Sequence, residues 1–178
     1  MYERVSTDIV CERFNFDVVD SSVTGPRGMR FARSWARHPQ TVAAVGLTAD
    51  LRVPLIRQYR VAIDEQNLEL PGGRIDPEDA SPQAAAAREL QEEVGLRPGT
   101  IQSLGSFLNS PGHCSQETLL FLATDLTPLA RSLDADEEST SDVELVPLGE
   151  LDSLIADGRI RDAKTIIGLM LAARKLGL

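Results

Sequence analysis

Gly73-Arg74-Ile75-Asp76-Pro77-Glu78-Asp79-Ala80-Ser81-Pro82-Gln83-Ala84-Ala85-Ala86-Ala87-Arg88-Glu89-Leu90-Gln91-Glu92-Glu93-Val94-Gly95-Leu96 is the stretch on which the fold turns. Ser81 followed by Pro82 is a helix start, a side-chain cap before a proline at the first helical position, and the alanine block predicts a helix through Val94. Gly95 supplies the stop. Glu89, Glu92 and Glu93 fall in the second half of that helix, on adjoining parts of one face. Like charges at these spacings cost about 0.2–0.5 kcal/mol per pair, and acids near a helix C-terminus also oppose its dipole. Two readings follow. A hard divalent cation turns the repulsion into coordination; alternatively the face is merely solvated, with Arg88 as internal neutraliser.

Outward from this helix, the chain is 178 residues long with 42% hydrophobic and 25% charged residues, ordinary globular values that exclude a disordered or collagen-like protein. Its net charge of -9 and sequence pI of about 4.7 argue against general affinity for nucleic acid. Cys11 and Cys114 are the only cysteines, so both are expected as free thiols. No apolar run approaches a membrane span, and the N-terminus lacks the apolar stretch of a signal peptide, so a cytoplasmic protein with no membrane partner is expected.

Residues 1–39 mix β-branched and aromatic residues with a turn signal at Gly25-Pro26-Arg27-Gly28, predicting a small antiparallel β unit that needs cover from elsewhere. Residues 40–178 read as the main domain. There, Thr41–Leu47 and Leu51–Tyr59 read as a hairpin of buried strands, with Pro54 tolerable at an edge or bulge. Leu68-Glu69-Leu70 is a short strand ending at Pro71-Gly72-Gly73, where paired glycines imply a tight turn or a close backbone approach. Strands are expected at Ile101–Phe107, Thr118–Thr124 and Val143–Val146, and helices at Glu150–Ala156 and from Ala163 to Lys175 behind an Asp162 cap. The acidic run Asp134–Glu138 reads as a solvated loop.

The quoted stretch resembles the signature of the Nudix hydrolases: Gly, five residues, Glu, seven residues, then Arg-Glu-aliphatic-any-Glu-Glu-any-Gly-aliphatic. Arg88 through Leu96 fits the second half at every specified position. The first half departs from it, since Asp79 stands where Glu is specified and eight residues separate it from Arg88. A one-residue insertion ahead of the helix accounts for this and leaves Glu78 and Asp79 both as candidate loop acids.

The resemblance implies an α/β fold, a Nudix-type α/β/α sandwich with a mixed sheet, and hydrolysis of a nucleoside diphosphate linked to another group with Mg²⁺ or Mn²⁺. It implies Glu89 and Glu93 as principal metal ligands, Glu92 as a further ligand, the Gly72 carbonyl as a backbone ligand and Arg88 as their orienting cation. Clustered cations suit this chemistry because they neutralise a pyrophosphate and lower the pKa of an attacking water.

Arg57-Gln58-Tyr59-Arg60 ahead of Leu68-Glu69-Leu70-Pro71-Gly72-Gly73 looks like the ADP-ribose pyrophosphatase branch, as do Asp162-Ala163-Lys164-Thr165 and Pro111, fifteen residues past Leu96. By that resemblance Arg57, Arg60, Gly73 and Pro111 bind substrate, although Arg60 reads equally as a surface arginine ending a strand. The glutamate that relatives place beyond this proline falls on Gln116, which cannot act as a base, so Glu117 is preferred, with His113 or a helix glutamate as alternatives. Trp35, Phe31 and Tyr59 are stacking candidates that read more simply as packing. ADP-ribose or a similar nucleoside diphosphate sugar is the expected substrate; the alternatives are GDP-mannose or another NDP-sugar, or a module that senses ADP-ribose without cleaving it. In relatives the N-terminal strands form an intersubunit sheet, which implies a homodimer.

Overall fold

In a computed structural model of the chain, residues 1–131 and 142–178 are described, and the acidic run Asp134–Glu138 lies outside them. The chain divides into two compact units, Met1–Gln40 with Phe107–Glu117, and Thr41–Ser106 with Thr118–Leu178. Among the described residues no helix is long and apolar enough to cross a membrane.

The first unit is an antiparallel sheet in the order β1 (Glu3–Glu12), β2 (Asp17–Thr24), β3 (Arg30–Arg37). Its sequence has few apolar residues to bury, and the structure agrees: Val19 is fully buried while Val5, Ile9, Val10 and Phe14 are exposed. Polar and charged contacts fill in. The Trp35 Nε1 donates to Ser21 Oγ at 2.9 Å, and the Arg4 guanidinium sits 5.0 Å from the Trp35 ring centroid. The 107–117 segment adds to this unit through Ala36 N to His113 O and Ser115 N to Ala36 O.

In the second unit β4 (Thr41–Gly46) is buried along its whole length. It pairs in parallel with β9 (Glu117–Thr124), whose other neighbour is β8 (Thr100–Leu108). The expected β4–β5 hairpin is therefore corrected: β5 (Arg52–Arg60) belongs instead to an antiparallel sheet with β6 (Glu65–Glu69) and β11 (Asp142–Pro147). A run buried on both faces is compatible with a parallel partner far away in sequence, and periodicity cannot identify that partner. Pro54 pairs with Leu145 on β11, and the β6 ladder begins only at Ile56, so its missing N–H costs no bond there. Two-residue strands β7 (Leu96–Arg97) and β10 (Thr127–Pro128) pair with each other.

Alternation along β4 explains the layers. Val42 and Ala44 face α1 (Pro82–Val94) in a core with Ala86, Leu90, Phe121 and Ala123. Val45 and Leu120 face the other way, towards Gly168 of α3 (Ala163–Leu176), where an added Cβ would lie 2.6 Å from Leu70 Cδ1. A short α2 (Leu151–Ala156) precedes α3. Helices on both faces of a mixed sheet make the α/β/α sandwich expected from the signature.

Candidate active site

Helix α1 is built as its sequence predicts: Ser81 Oγ accepts from Ala84 N at 3.1 Å, and Gly95 closes the helix in the left-handed conformation at φ 71°. The alanines matter because they let this helix approach the sheet closely, with Ala85 and Ala86 fully buried. The solvated-face reading fails on burial: Glu89 is 9% exposed and Glu93 3%.

Each carboxylate has a distinct reason for its place. Glu93 Oε2 accepts the backbone N–H of Gly72 at 2.8 Å. Glu89 packs so tightly on Gly73 that a Cβ there would lie 2.4 Å from Glu89 Oε1. At Gly72 an added Cβ would lie 2.2 Å from the Val42 carbonyl oxygen. The paired glycines are thus the condition for the loop to pass between β4 and α1. Pro71 O and Gly73 O accept from Ala44 N and Val42 N at 3.0 and 2.8 Å. Those bonds turn the intervening Gly72 carbonyl away from β4.

Glu92 is joined to Glu89 through Arg88, whose Nη1 donates to Glu92 Oε2 at 2.8 Å and to Glu89 Oε1 at 2.9 Å. The opposite edge of the guanidinium is anchored by Asp79, with Nε and Nη2 at 3.1 and 3.0 Å, and by the Arg74 carbonyl at 3.0 Å. Asp79 also accepts from Asp76 N at 2.9 Å, whereas Glu78 is exposed, so the loop acid joined to the helix is Asp79. The Asp79 hydrogen bonds, with the Glu89 and Glu92 charges, outweigh burial and raise the Arg88 pKa above its ordinary value. Reciprocally, the Arg88 hydrogen bonds lower the Asp79 carboxyl.

Arg60 ends β5 beside this region. Burial would raise the carboxyl of its partner Glu69, but the Arg60 hydrogen bonds and the Lys164 charge outweigh that and hold it at about 2. The Glu69 hydrogen bonds raise the Arg60 pKa in turn, and the Glu93 charge contributes in the same direction. Glu69 and Lys164 escaped the sequence reading as site residues, although both lie in stretches that carried the branch resemblance. The missed signal was an ionisable residue between the apolar Leu68 and Leu70 of a strand. Arg57 is three residues from Arg60 in a regular ladder, hence on the opposite face of β5, where Nη2 donates to Glu144 at 2.5 Å.

Pro111 and Glu117 belong to the first unit. Glu117 Oε2 accepts from Gln40 Nε2 at 2.8 Å, and His113 Nδ1 sits 3.2 Å from Ser110 Oγ in the preceding turn. Pro111 and Trp35 line one open cleft of about 410 Å³ together with Arg4, Ser21, Arg33 and Cys114.

Among the described residues no three His, Cys, Asp or Glu side chains form a ready metal cage. Glu89 and Glu93, clustered against glycine backbone, still offer hard oxygen donors of the kind that suits Mg²⁺, which takes one or two carboxylates and completes its shell with water and substrate phosphates. The donor chemistry of these residues therefore fits a divalent cation.

Known proteins resemble this chain over most of its length. The methanol dehydrogenase activator of Bacillus methanolicus is 31% identical over 144 residues, covering 81% of this chain and 77% of that protein. The ADP-ribose pyrophosphatase of Bacillus subtilis (strain 168) is 28% identical over 149 residues, covering 84% and 80%. A crystal structure of an ADP compounds hydrolase superposes with a TM-score of 0.85 at 27% identity, over 99% of this chain and 94% of that one. The NUDIX domain model matches residues 37–168, and with the glutamate helix set against its paired glycines the chain belongs to the NUDIX domain family and is a Nudix hydrolase.

Proposed function

We propose that this hydrolase cleaves the pyrophosphate bond of ADP-ribose, with Mg²⁺ or Mn²⁺ as cofactor, giving AMP and ribose 5-phosphate. The carrying observation is the burial of Glu89 and Glu93 against the Gly72-Gly73 backbone, and the ADP-ribose pyrophosphatase and ADP compounds hydrolase relatives support the substrate class. A bound divalent cation supplies charge neutralisation of the diphosphate and a lowered pKa for the attacking water. Glu89 and Glu93 hold it, with Glu92 and the Gly72 carbonyl as further donors. Arg88 fixes the Glu89 and Glu92 carboxylates, and Arg60 binds the diphosphate. Gly73 and Pro111 complete the substrate contacts in this proposal, whereas Arg57, on the face of β5 opposite Arg60 and paired with Glu144, is left out of them. Glu117 is the assigned base, a carboxylate oriented by Gln40 that takes a proton as water oxygen attacks phosphorus and the anhydride P–O bond breaks.

The same reading takes residues 1–39 as a dimerisation element of a homodimer, supported by the exposed Val5 and Val10 of β1 and Phe14 of the connection after it, in a unit with little core of its own. It places the enzyme in the cytoplasm, consistent with Cys11 and Cys114 as free thiols. The test incubates the purified protein with ADP-ribose, GDP-mannose, UDP-glucose and diadenosine polyphosphate, each with Mg²⁺ and with EDTA. AMP from ADP-ribose, abolished by EDTA, is expected. Preferred turnover of GDP-mannose would move the substrate assignment, and ADP-ribose binding without product would make the protein a sensor.

A further inference from the structure

Close to the α1 carboxylates lies a second charge cluster, of which the proposed reaction uses only Arg60. Glu69 closes β6 and is 2% exposed. Its carboxylate accepts Arg60 Nε and Nη2 at 2.8 and 2.7 Å, Asn67 Nδ2 at 3.1 Å, and the ammonium of Lys164. Lys164 also reaches Asp162 Oδ2 at 3.1 Å, and the same Asp162 oxygen caps α3 through Thr165 N at 2.9 Å. Thr165 Oγ1 in turn accepts the backbone N–H of Leu70 at 2.8 Å, three residues before Gly73.

Stability alone is a poor reason for such a cluster, because desolvating a carboxylate and its cations offsets most of their attraction, and apolar side chains of similar volume would hold the sheet as well. The geometry suits another task. The two bonds to Glu69 fix the plane of the Arg60 guanidinium, while the Arg60 side chain remains 43% exposed and within reach of the Glu93 charge. An arginine fixed in advance loses less rotamer freedom when it meets an anion than one that must be ordered on binding.

We infer that Glu69, itself clamped by Lys164, is a positioning residue that presents Arg60 to the diphosphate of the substrate. The inference rests on the proposed role of Arg60 in binding that diphosphate, and it assigns Glu69 no contact with the reacting atoms.

A double-mutant cycle tests it, with ADP-ribose at saturating Mg²⁺. Glu69→Gln is expected to raise KM about tenfold with kcat within about threefold, and Arg60→Ala to raise KM at least as much. In the Arg60→Ala background, Glu69→Gln is expected to change KM by less than about twofold, since its route of action is already gone. Multiplying effects in the double variant, or an unchanged KM with a lowered Tm in Glu69→Gln, would overturn the inference. If Glu69→Gln does not fold, Glu69→Asp keeps the buried charge but shortens its reach; a raised KM supports the role and a wild-type KM refutes it. The NMR signal of Arg60 Nε–H gives a readout free of turnover. Slow solvent exchange in the wild type, lost on substitution of Glu69, is expected, and exchange unaffected by either substitution would sink the idea. Should the wild type leave ADP-ribose intact, the substrate proposal fails, while that signal still decides whether Glu69 fixes Arg60.

Discussion

Glu93 is fixed against the glycine loop: it is buried, and its Oε2 accepts the N–H of Gly72, the residue whose carbonyl is the proposed backbone ligand. Glu93→Gln keeps the shape and a hydrogen-bond acceptor but removes the charge, so kcat with Mg²⁺ should fall about 100-fold while the fold persists. Retained turnover at saturating Mg²⁺ would remove Glu93 from the metal site. Asp79 acts one step back, through Arg88. Asp79→Asn weakens a charge-assisted pair and should lower stability by about 1 kcal/mol in urea unfolding, with Glu78→Gln as the neutral comparison. Glu69 predicts a pH effect. Its carboxyl is depressed from an ordinary 4.5 to about 2, so the stability it contributes is fully present above pH 4.5 and is lost as pH falls towards 2. Thermal melts should therefore lose Tm across that window in the wild type, and Glu69→Gln should flatten that part of the profile.

At the scale of elements, helix α1 and the Leu70–Gly73 loop form one device. The helix start was legible from Ser81-Pro82, and its cap is local chemistry: Ser81→Ala should cost about 1 kcal/mol of stability with little change in KM. The loop is less forgiving. Gly73→Ala drives a methyl group into the Glu89 carboxylate, so hydrolysis should fall more steeply than Tm, and an unchanged kcat would show that the loop can move aside. Strand β5 shows where reading one element ends. Its alternation separates Arg57 from Arg60 and gives Arg57 a partner, Glu144, that lies 87 residues away in sequence. Nothing local announces such a partner. The β4–β5 hairpin was misread for a related reason: adjacent apolar runs suggest local pairing, but β4 is buried on both faces and its ladder is completed by β9.

For the whole molecule, the division into two units makes association the main prediction. A three-stranded unit that leaves Val5, Val10 and Phe14 exposed has little core of its own. Sedimentation at micromolar concentration should give a homodimer, and replacing Val10 and Phe14 with serine should yield monomers; a monomeric wild type would remove the dimer. The segment Phe107–Glu117 joins the first unit although it runs from the end of β8 to the start of β9, an affiliation made by backbone bonds to Ala36.

By itself, the sequence determined what is periodic, local or contiguous. The α1 helix and its two ends, the glutamates at three- and four-residue spacing, the paired glycines and the α3 cap at Asp162 all depend on neighbours within a few positions, where backbone propensity and capping act. Tertiary structure alone decided what depends on contacts across the chain. It buried Glu89 and Glu93, chose Asp79 over Glu78 as the partner of Arg88, and set Arg60, Glu69 and Lys164 in one cluster. The ion pairs joining residues 69 and 164 or 57 and 144 span most of the domain and leave no periodic trace. They form only once strands and helices have packed, because only packing removes the water that would otherwise solvate each charge on its own.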